Sequence, residues 1–313
     1  MTRLCASSWT LRAWRVLGVT VLALLLAACQ TPPPAPPPVA ETPPAAPVVT
    51  PKPPPKPPRI GLALGGGAAR GFAHIGVIQV LEEAGVQPDL VVGTSAGSLV
   101  AALYASGKSG PELATLALGM DEGAITDWSF PARGLIRGEA LARYVRQHTA
   151  GLGIEQMKLP LGIVATDLDS GDGILFQRGD TGSAVRASSA VPAVFQPVRI
   201  GSREYVDGGL VSPVPVRYAR QMGAEMVIAV DITAPPDGAA TGDVMKMLLQ
   251  TFAIMGRSIN QFELRDADLV LRPAMAGMSS ADFGARARAI QAGREAALRL
   301  LPQIRARIAA LTH

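Results

Sequence analysis

The stretch Asp89-Leu90-Val91-Val92-Gly93-Thr94-Ser95-Ala96-Gly97-Ser98 carries an apolar run into a serine with glycines two places before and two places after it. Leu90, Val91 and Val92 are apolar at successive positions, as a strand buried on both faces requires, and the residues that follow through Tyr104 fit a helix. A serine on a sharp strand-to-helix turn is held clear of the sheet with its hydroxyl exposed, and the two glycines permit the close backbone approach that the turn needs. The same letters also suit a tight glycine-rich turn in which Ser95 only caps the helix. Both readings place a strand, a turn and a helix here.

Outward from that unit, short β-rich runs alternate with helical patterns. Strands are expected at residues 60–64, 90–93, 161–165, 174–177, 226–231 and 268–271. Helices are expected after Gly67, Ser95, Pro111, Gly138, Asp180 and Pro213, with two long ones at about 243–264 and 282–309. Gly201-Ser202, between Val198-Arg199-Ile200 and Glu204-Tyr205-Val206, reads as a hairpin turn. The alternation argues for an α/β fold, a three-layer α/β/α sandwich around a mostly parallel central sheet. Residues 59–313, roughly 250, suit a single domain with one sizeable core.

A second motif, Gly65-Gly66-Gly67-Ala68-Ala69-Arg70-Gly71, follows the first strand and opens a helix bearing His74. Adjacent N–H groups at a helix N-terminus make an anion site, suited to a phosphate or to a developing oxyanion. A dinucleotide turn fits poorly, because Arg70 falls where its last glycine belongs and no acid ends the next strand. No Lys-Ser or Lys-Thr pair follows, so a phosphate P-loop fails as well.

A serine nucleophile needs a base. The histidines are His74, His148 and His313. His313 is the last residue, His148 ends an amphipathic helix, and His74 lies behind the glycine loop in a packing or supporting role. A carboxylate is therefore the expected base, and Asp207-Gly208-Gly209, just after Tyr205-Val206, is the best candidate. Taken alone, Asp-Gly reads equally as a turn.

The ordered set of glycine loop with Arg70-Gly71, Gly93-Thr94-Ser95-Ala96-Gly97 and Asp207-Gly208-Gly209 resembles the patatin-like phospholipases. Phe72-Ala73-His74-Ile75-Gly76-Val77, Gly134-Leu135-Ile136-Arg137-Gly138, Ala165-Thr166-Asp167-Leu168 and residues 187–197 extend the likeness. The resemblance implies a patatin-like fold, a dyad of Ser95 as nucleophile and Asp207 as base, and an oxyanion hole from the N–H groups of Gly66, Gly67 and Ala68. Gly65, Arg70, Gly71, Gly93, Gly97, Gly208 and Gly209 complete the motifs. The implied reaction is acyl transfer from phospholipid or lysophospholipid esters, with no cofactor. One departure stands out: in the family's register the middle glycine is Ala68, which keeps its N–H but resists positive φ. Arg70 either holds the loop or meets a lipid phosphate, the former being favoured.

Other features narrow the expectation. Asp167, Asp169 and Asp172 suggest a polar turn between two strands rather than a cation loop, since Gly171 stands where a ligand belongs; no metal site is expected. Residues 124–136, with Trp128, Phe130 and Leu135, form either an apolar mouth over the site or a loop packed on the core. From Ile60 onward the chain carries 23 Lys and Arg against 24 Asp and Glu, so the basic pI of 9.3 gives the folded part no nucleic-acid footprint.

The remaining positive charge sits near the start. Arg3, Arg12 and Arg15 precede an apolar run at 16–28 that ends Leu26-Ala27-Ala28-Cys29. That run is too short to span a bilayer and fits a secretory signal peptide at 1–28. A small-residue cut before a cysteine resembles the lipobox of bacterial lipoproteins, which implies a diacylated Cys29; an ordinary signal with an incidental cysteine is the alternative. Fifteen of the 27 prolines fall in residues 31–58, an extended tether in character. The expected protein is exported and anchored by lipid to the cell envelope, with Gln30 resembling the outer-membrane sorting pattern. A silent lipid-binding module and an esterase or thioesterase acting on soluble short-chain substrates are the competing functions.

Overall fold

The computed structural model describes residues 55–128, 133–233, 242–279 and 281–313. The signal segment, Cys29, the proline-rich stretch up to Pro54, and Phe130 lie outside the described residues. In chain order the elements are β1 (Ile60–Leu64), a 3₁₀ turn (Ala68–Phe72), α1 (Ala73–Glu83), β2 (Leu90–Thr94), α2 (Ala96–Ala105), α3 (Gly110–Gly119), β3 (Gly134–Ile136) and α4 (Glu139–His148). There follow β4 (Leu161–Asp167), β5 (Gly173–Phe176), α5 (Thr181–Ser188), β6 (Ala193–Phe195), β7 (Val198–Ile200) and β8 (Arg203–Asp207). The last are α6 (Val216–Gln221), β9 (Met226–Val230), α7 (Val244–Glu263), β10 (Leu269–Leu271) and α8 (Arg286–Leu311).

Strands β10, β9, β1, β2 and β4 run parallel in that spatial order; β5 and β8 each pair antiparallel with β4, and β7 pairs antiparallel with β8. The parallel strands are largely apolar, with Thr94, Thr166 and Asp167 confined to C-terminal ends, because both faces are covered. Leu62, Leu64, Val91 and Ile228 enter one core with α1, α2, α3 and α8. Their neighbours Ala63, Val92, Val227 and Ala229 enter the other, beneath α6. Period-two alternation thus splits each strand between two cores, and the three-layer α/β/α sandwich is present. The second layer is thin, with one six-residue helix facing these strands.

The register around β4 sets up the site. β2 pairs with Leu161 to Val164, while β5 pairs with Ile163 to Thr166, so the shared residues force β2 and β5 onto opposite edges of β4. β8 pairs with Ala165, Thr166 and Asp167, overlapping β5, and therefore lies on the same edge as β2. β2 arrives parallel and β8 antiparallel. Their C-terminal residues, Thr94 opposite Val164 and Asp207 opposite Ala165, abut end to end.

The short β3 and β6 form a separate parallel pair that the sequence pattern did not anticipate. Three residues are too few to show a period.

Candidate active site

The chain must leave β2 and enter α2 within one residue, and Ser95 takes the bend at φ 54°, ψ −124°. A non-glycine residue there carries strain of roughly 1–3 kcal/mol. The turn is tight because α2 begins against β1: a Cβ on Gly97 would overlap the Leu64 carbonyl, and one on Gly93 would overlap the carbonyl of Gly97. Hydrogen bonds hold the bend. The Ser95 N–H donates to Ser188 Oγ at 2.8 Å, and that hydroxyl donates to the Val164 carbonyl at 2.5 Å. Ser98 Oγ donates to the Ser95 carbonyl at 2.6 Å. Ser188 thereby fastens the elbow to β4. Its role was not visible in the sequence, where it was only one letter of a matching segment.

Asp207 ends β8 beside this bend and is 7% exposed. Its backbone is fixed by donation from its N–H to Ala190 O at 3.0 Å and from Thr166 Oγ to its carbonyl at 2.8 Å. Gly208 has no Cβ because one would overlap the Val164 carbonyl. Oδ1 accepts the Gly209 N–H at 2.7 Å. Oδ2 is buried without a well-formed hydrogen bond, and the hydroxyl close enough to act on the carboxyl is that of Ser95. Burial pushes the Asp207 pKa up to about 6, with Ser95 and the Gly209 N–H pulling it back. A carboxyl in that range accepts a proton near neutral pH far better than an ordinary aspartate.

The glycine loop closes over the same point. A Cβ on Gly66 would lie 3.1 Å from Ser95 Cβ, and one on Gly71 2.8 Å from Ala96 Cβ. The Gly65 N–H donates to Val230 O at 3.1 Å. The Gly66 N–H donates to Pro213 O at 2.9 Å. This corrects one expectation: Gly66 shapes the loop, but its donor is engaged elsewhere and is not free for an oxyanion. Among the described residues the Gly67 and Ala68 N–H groups have no partner, as the start of a helical turn leaves them. Ala68 adopts φ 49°, so the residue in the family's glycine place takes the glycine conformation at a strain cost.

His74 and Arg70 stand behind the loop. His74 Nε2–H donates to the Gly65 carbonyl at 2.8 Å, and burial lowers its pKa to about 4, so it is neutral and structural. Arg70 is buried, its Nε has no partner, and burial lowers its pKa against the opposing field of Asp231. It does not line the cavity, in keeping with a loop-holding role. His148 packs against Tyr144 at the end of α4 with the rings tilted by 52°. The Asp167 carboxylate accepts Arg203 Nη1 at 2.6 Å and the N–H groups of Asp169 and Ser170, which makes it the organiser of the turn into β5.

A cavity of about 210 Å³ opens on Ser95 and Asp207 between Gly67, Ala68, Val191 and Pro192. Leu249, Phe252 and Ala253 of α7 also line it. Nothing in the sequence pattern assigns that helix to the site. Residues 124–136 read either as an apolar mouth or as a loop packed on the core, and their described members do not line the cavity: Trp128 is 66% exposed and bridges to Ile136. α7 rests on the body through Gly256, Asn260 and Glu263. Glu263 Oε1 accepts Ser212 Oγ at 2.5 Å, while Glu263 Oε2 and both amide atoms of Asn260 are buried and unpaired. Burial raises the Glu263 pKa.

Comparison with known proteins bears on the family and the fold. The profile of the patatin-like phospholipases matches residues 62–220. An uncharacterized NTE family protein of Mycobacterium tuberculosis is 39% identical over 186 residues, 58% of this chain and 51% of that protein. Mouse patatin-like phospholipase domain-containing protein 6 is 35% identical over 181 residues, 55% of this chain but 13% of that protein. The chain thus spans about half the length of the mycobacterial relative and a small part of the mouse one. Among solved structures, VipD from Legionella pneumophila superposes with a TM-score of 0.53 at 16% identity, covering 78% of this chain and 66% of that one, a likeness of fold.

Proposed function

Because the chain belongs to the patatin-like phospholipase family, we propose that it is a serine acyl hydrolase that cleaves ester-linked acyl chains of phospholipids or lysophospholipids through Ser95 and Asp207. The supporting observation is the pairing of a strained, half-buried serine lining the cavity with a buried carboxylate that feels the Ser95 hydroxyl and whose Oδ2 has no well-formed hydrogen bond. In this reading Asp207 Oδ2 takes the proton of Ser95 Oγ as that oxygen attacks the ester carbonyl carbon. The N–H groups of Gly67 and Ala68 stabilise the tetrahedral oxyanion. Collapse breaks the bond to the lipid alcohol, which leaves with the proton from Asp207. Water then adds to the acyl-serine, Asp207 takes its proton, and the fatty acid departs as Ser95 regains a hydrogen.

Asp207 has no histidine between itself and Ser95, so it transfers the proton directly, and its raised pKa suits that task. Apart from these groups and Thr233 the cavity is lined by apolar residues and glycines, in keeping with an acyl chain. A fluorophosphonate probe labels the wild type and fails to label Ser95→Ala. Release of fatty acid from phospholipid vesicles falls at least 10³-fold in Ser95→Ala and Asp207→Asn. Undiminished hydrolysis in Ser95→Ala would sink the assignment.

The lipobox-like sequence supports export with acylation of Cys29, the proline-rich stretch acting as a tether in the cell envelope and Gln30 favouring the outer membrane. Incorporation of a labelled palmitate analogue that Cys29→Ala abolishes tests this separately.

A further inference from the structure

Helix α7 buries only Gly256, Asn260 and Glu263 along its 20 residues. Its opposite side is apolar and open. Val244, Met247, Leu248, Ile254, Met255 and Phe262 are all exposed, from 39% at Leu248 to 75% at Val244. With Thr251 and Ser258 they follow the 3–4 spacing of a single helix face. A helix that needed this face for folding would have buried it, and an apolar patch of this extent on a water-facing surface marks an interaction site.

We propose that this outer face of α7 docks on a phospholipid bilayer surface, bringing the cavity mouth to the lipid. Two observations select a lipid surface. First, the helix is continuous with the site: Leu249, itself 42% exposed, Phe252 and Ala253 line the cavity that Ser95 also lines. A lipid leaving the bilayer along α7 therefore meets apolar side chains from the outer face to the reacting serine. Second, the charge along the helix itself is basic. Between Val244 and Phe262 the charged residues are Lys246 and Arg257, both exposed, with Lys246 Nζ 3.5 Å from the capping Asp243, and beyond the helix Arg265, next to exposed Asp266, stacks on the Phe262 ring at 5.0 Å. No carboxylate falls between Val244 and Phe262, which suits an interfacial helix meeting anionic headgroups.

The functional consequence rests on the lipid-ester reading; the docking does not. The full chain with Cys5 and Cys29 replaced by alanine, which removes any acyl anchor, carries an environment-sensitive fluorophore at Met247→Cys, Phe262→Cys or, on α8, Leu298→Cys. Vesicles of phosphatidylcholine with one quarter phosphatidylglycerol should blue-shift the probes at 247 and 262, and lipids spin-labelled in the acyl chain should quench them, with the probe at 298 unaffected. In the otherwise native chain, Met247→Asp with Ile254→Asp and Phe262→Asp should lower vesicle hydrolysis at least tenfold while hydrolysis of a soluble short-chain ester stays within twofold. Probes already shielded without vesicles, or a dimer that the triple variant dissociates, would mean that protein covers the face and would overturn the proposal. So would vesicle hydrolysis unchanged in the triple variant. A wild type that hydrolyses neither substrate removes the hydrolase reading instead, and the fluorescence arm still decides the docking.

Discussion

Replacing Asp207 by asparagine should abolish hydrolysis and at the same time make the protein more stable at neutral pH. The native environment raises this carboxyl from 3.8 to about 6, chiefly by burial. Two units and a little more, at 1.36 kcal/mol each, amount to about 3 kcal/mol. The sign follows from linkage. Below pH 3.8 the group is protonated in folded and unfolded chains alike and there is no penalty. Between 3.8 and about 6 the unfolded chain ionises while the folded one resists, so stability is lost as pH rises, and above about 6 the whole penalty is in force. Asparagine never ionises. Its Oδ1 retains the Gly209 N–H, and its amide turns the other way toward Ser95. In thermal unfolding followed by circular dichroism in steps from about pH 4 to about pH 8, the variant should match the wild type at the acid end. It should then gain on it by roughly 6–12 °C on the alkaline side, at about 2–4 °C per kcal/mol for a domain of this size. A gap that is flat with pH, or a variant less stable at pH 8, would show that Asp207 is not buried as a strained anion.

Hydrolysis by the wild type should rise with pH along a single ionisation near 6, because the base must be unprotonated; a profile centred near 4 would contradict the burial of Asp207. Ser188→Ala should cost about 1–3 kcal/mol, since it leaves the Ser95 N–H and the Val164 carbonyl unpaired. It should also lower kcat by up to about 10²-fold through misplacement of the elbow, with KM nearly unchanged; stopped assays on a soluble ester and chemical denaturation read the two effects. Gly97→Ala sets a methyl against the Leu64 carbonyl and should destabilise by roughly 3 kcal/mol or prevent folding, measured as loss of soluble protein or of its unfolding transition.

Much of this architecture could be read from residue patterns. β1 lies where its apolar run places it, and β2 extends one residue beyond expectation to Thr94. The hairpin at Gly201-Ser202 is formed by β7 and β8. These features are local, set by side-chain alternation and by turn chemistry. The meeting of Ser95 with Asp207 is different in kind. It depends on which edge of β4 each strand takes, a choice settled by distant pairings with no period of their own. The same limit explains Gly66: its sequence neighbours present it as a donor, and only the approach of Pro213 from far along the chain engages its N–H. α7 reads plainly as an amphipathic helix, yet having apolar residues on two sides hides which side faces the cavity.

The abutment of β2 and β8 on one edge of β4 gives the protein a built-in ruler. The separation of the two reacting groups is set by a single peptide step, from Val164 to Ala165, with Ser188 and Ala190 holding the two ends to it. The other loops and helices between Ser95 and Asp207 are free to be lengthened, exchanged or remodelled without detuning the chemistry. One residue inserted into β4 at that step would drive the pair apart. Diversity should therefore gather in the excursions, and invariance in one short strand that never touches the substrate.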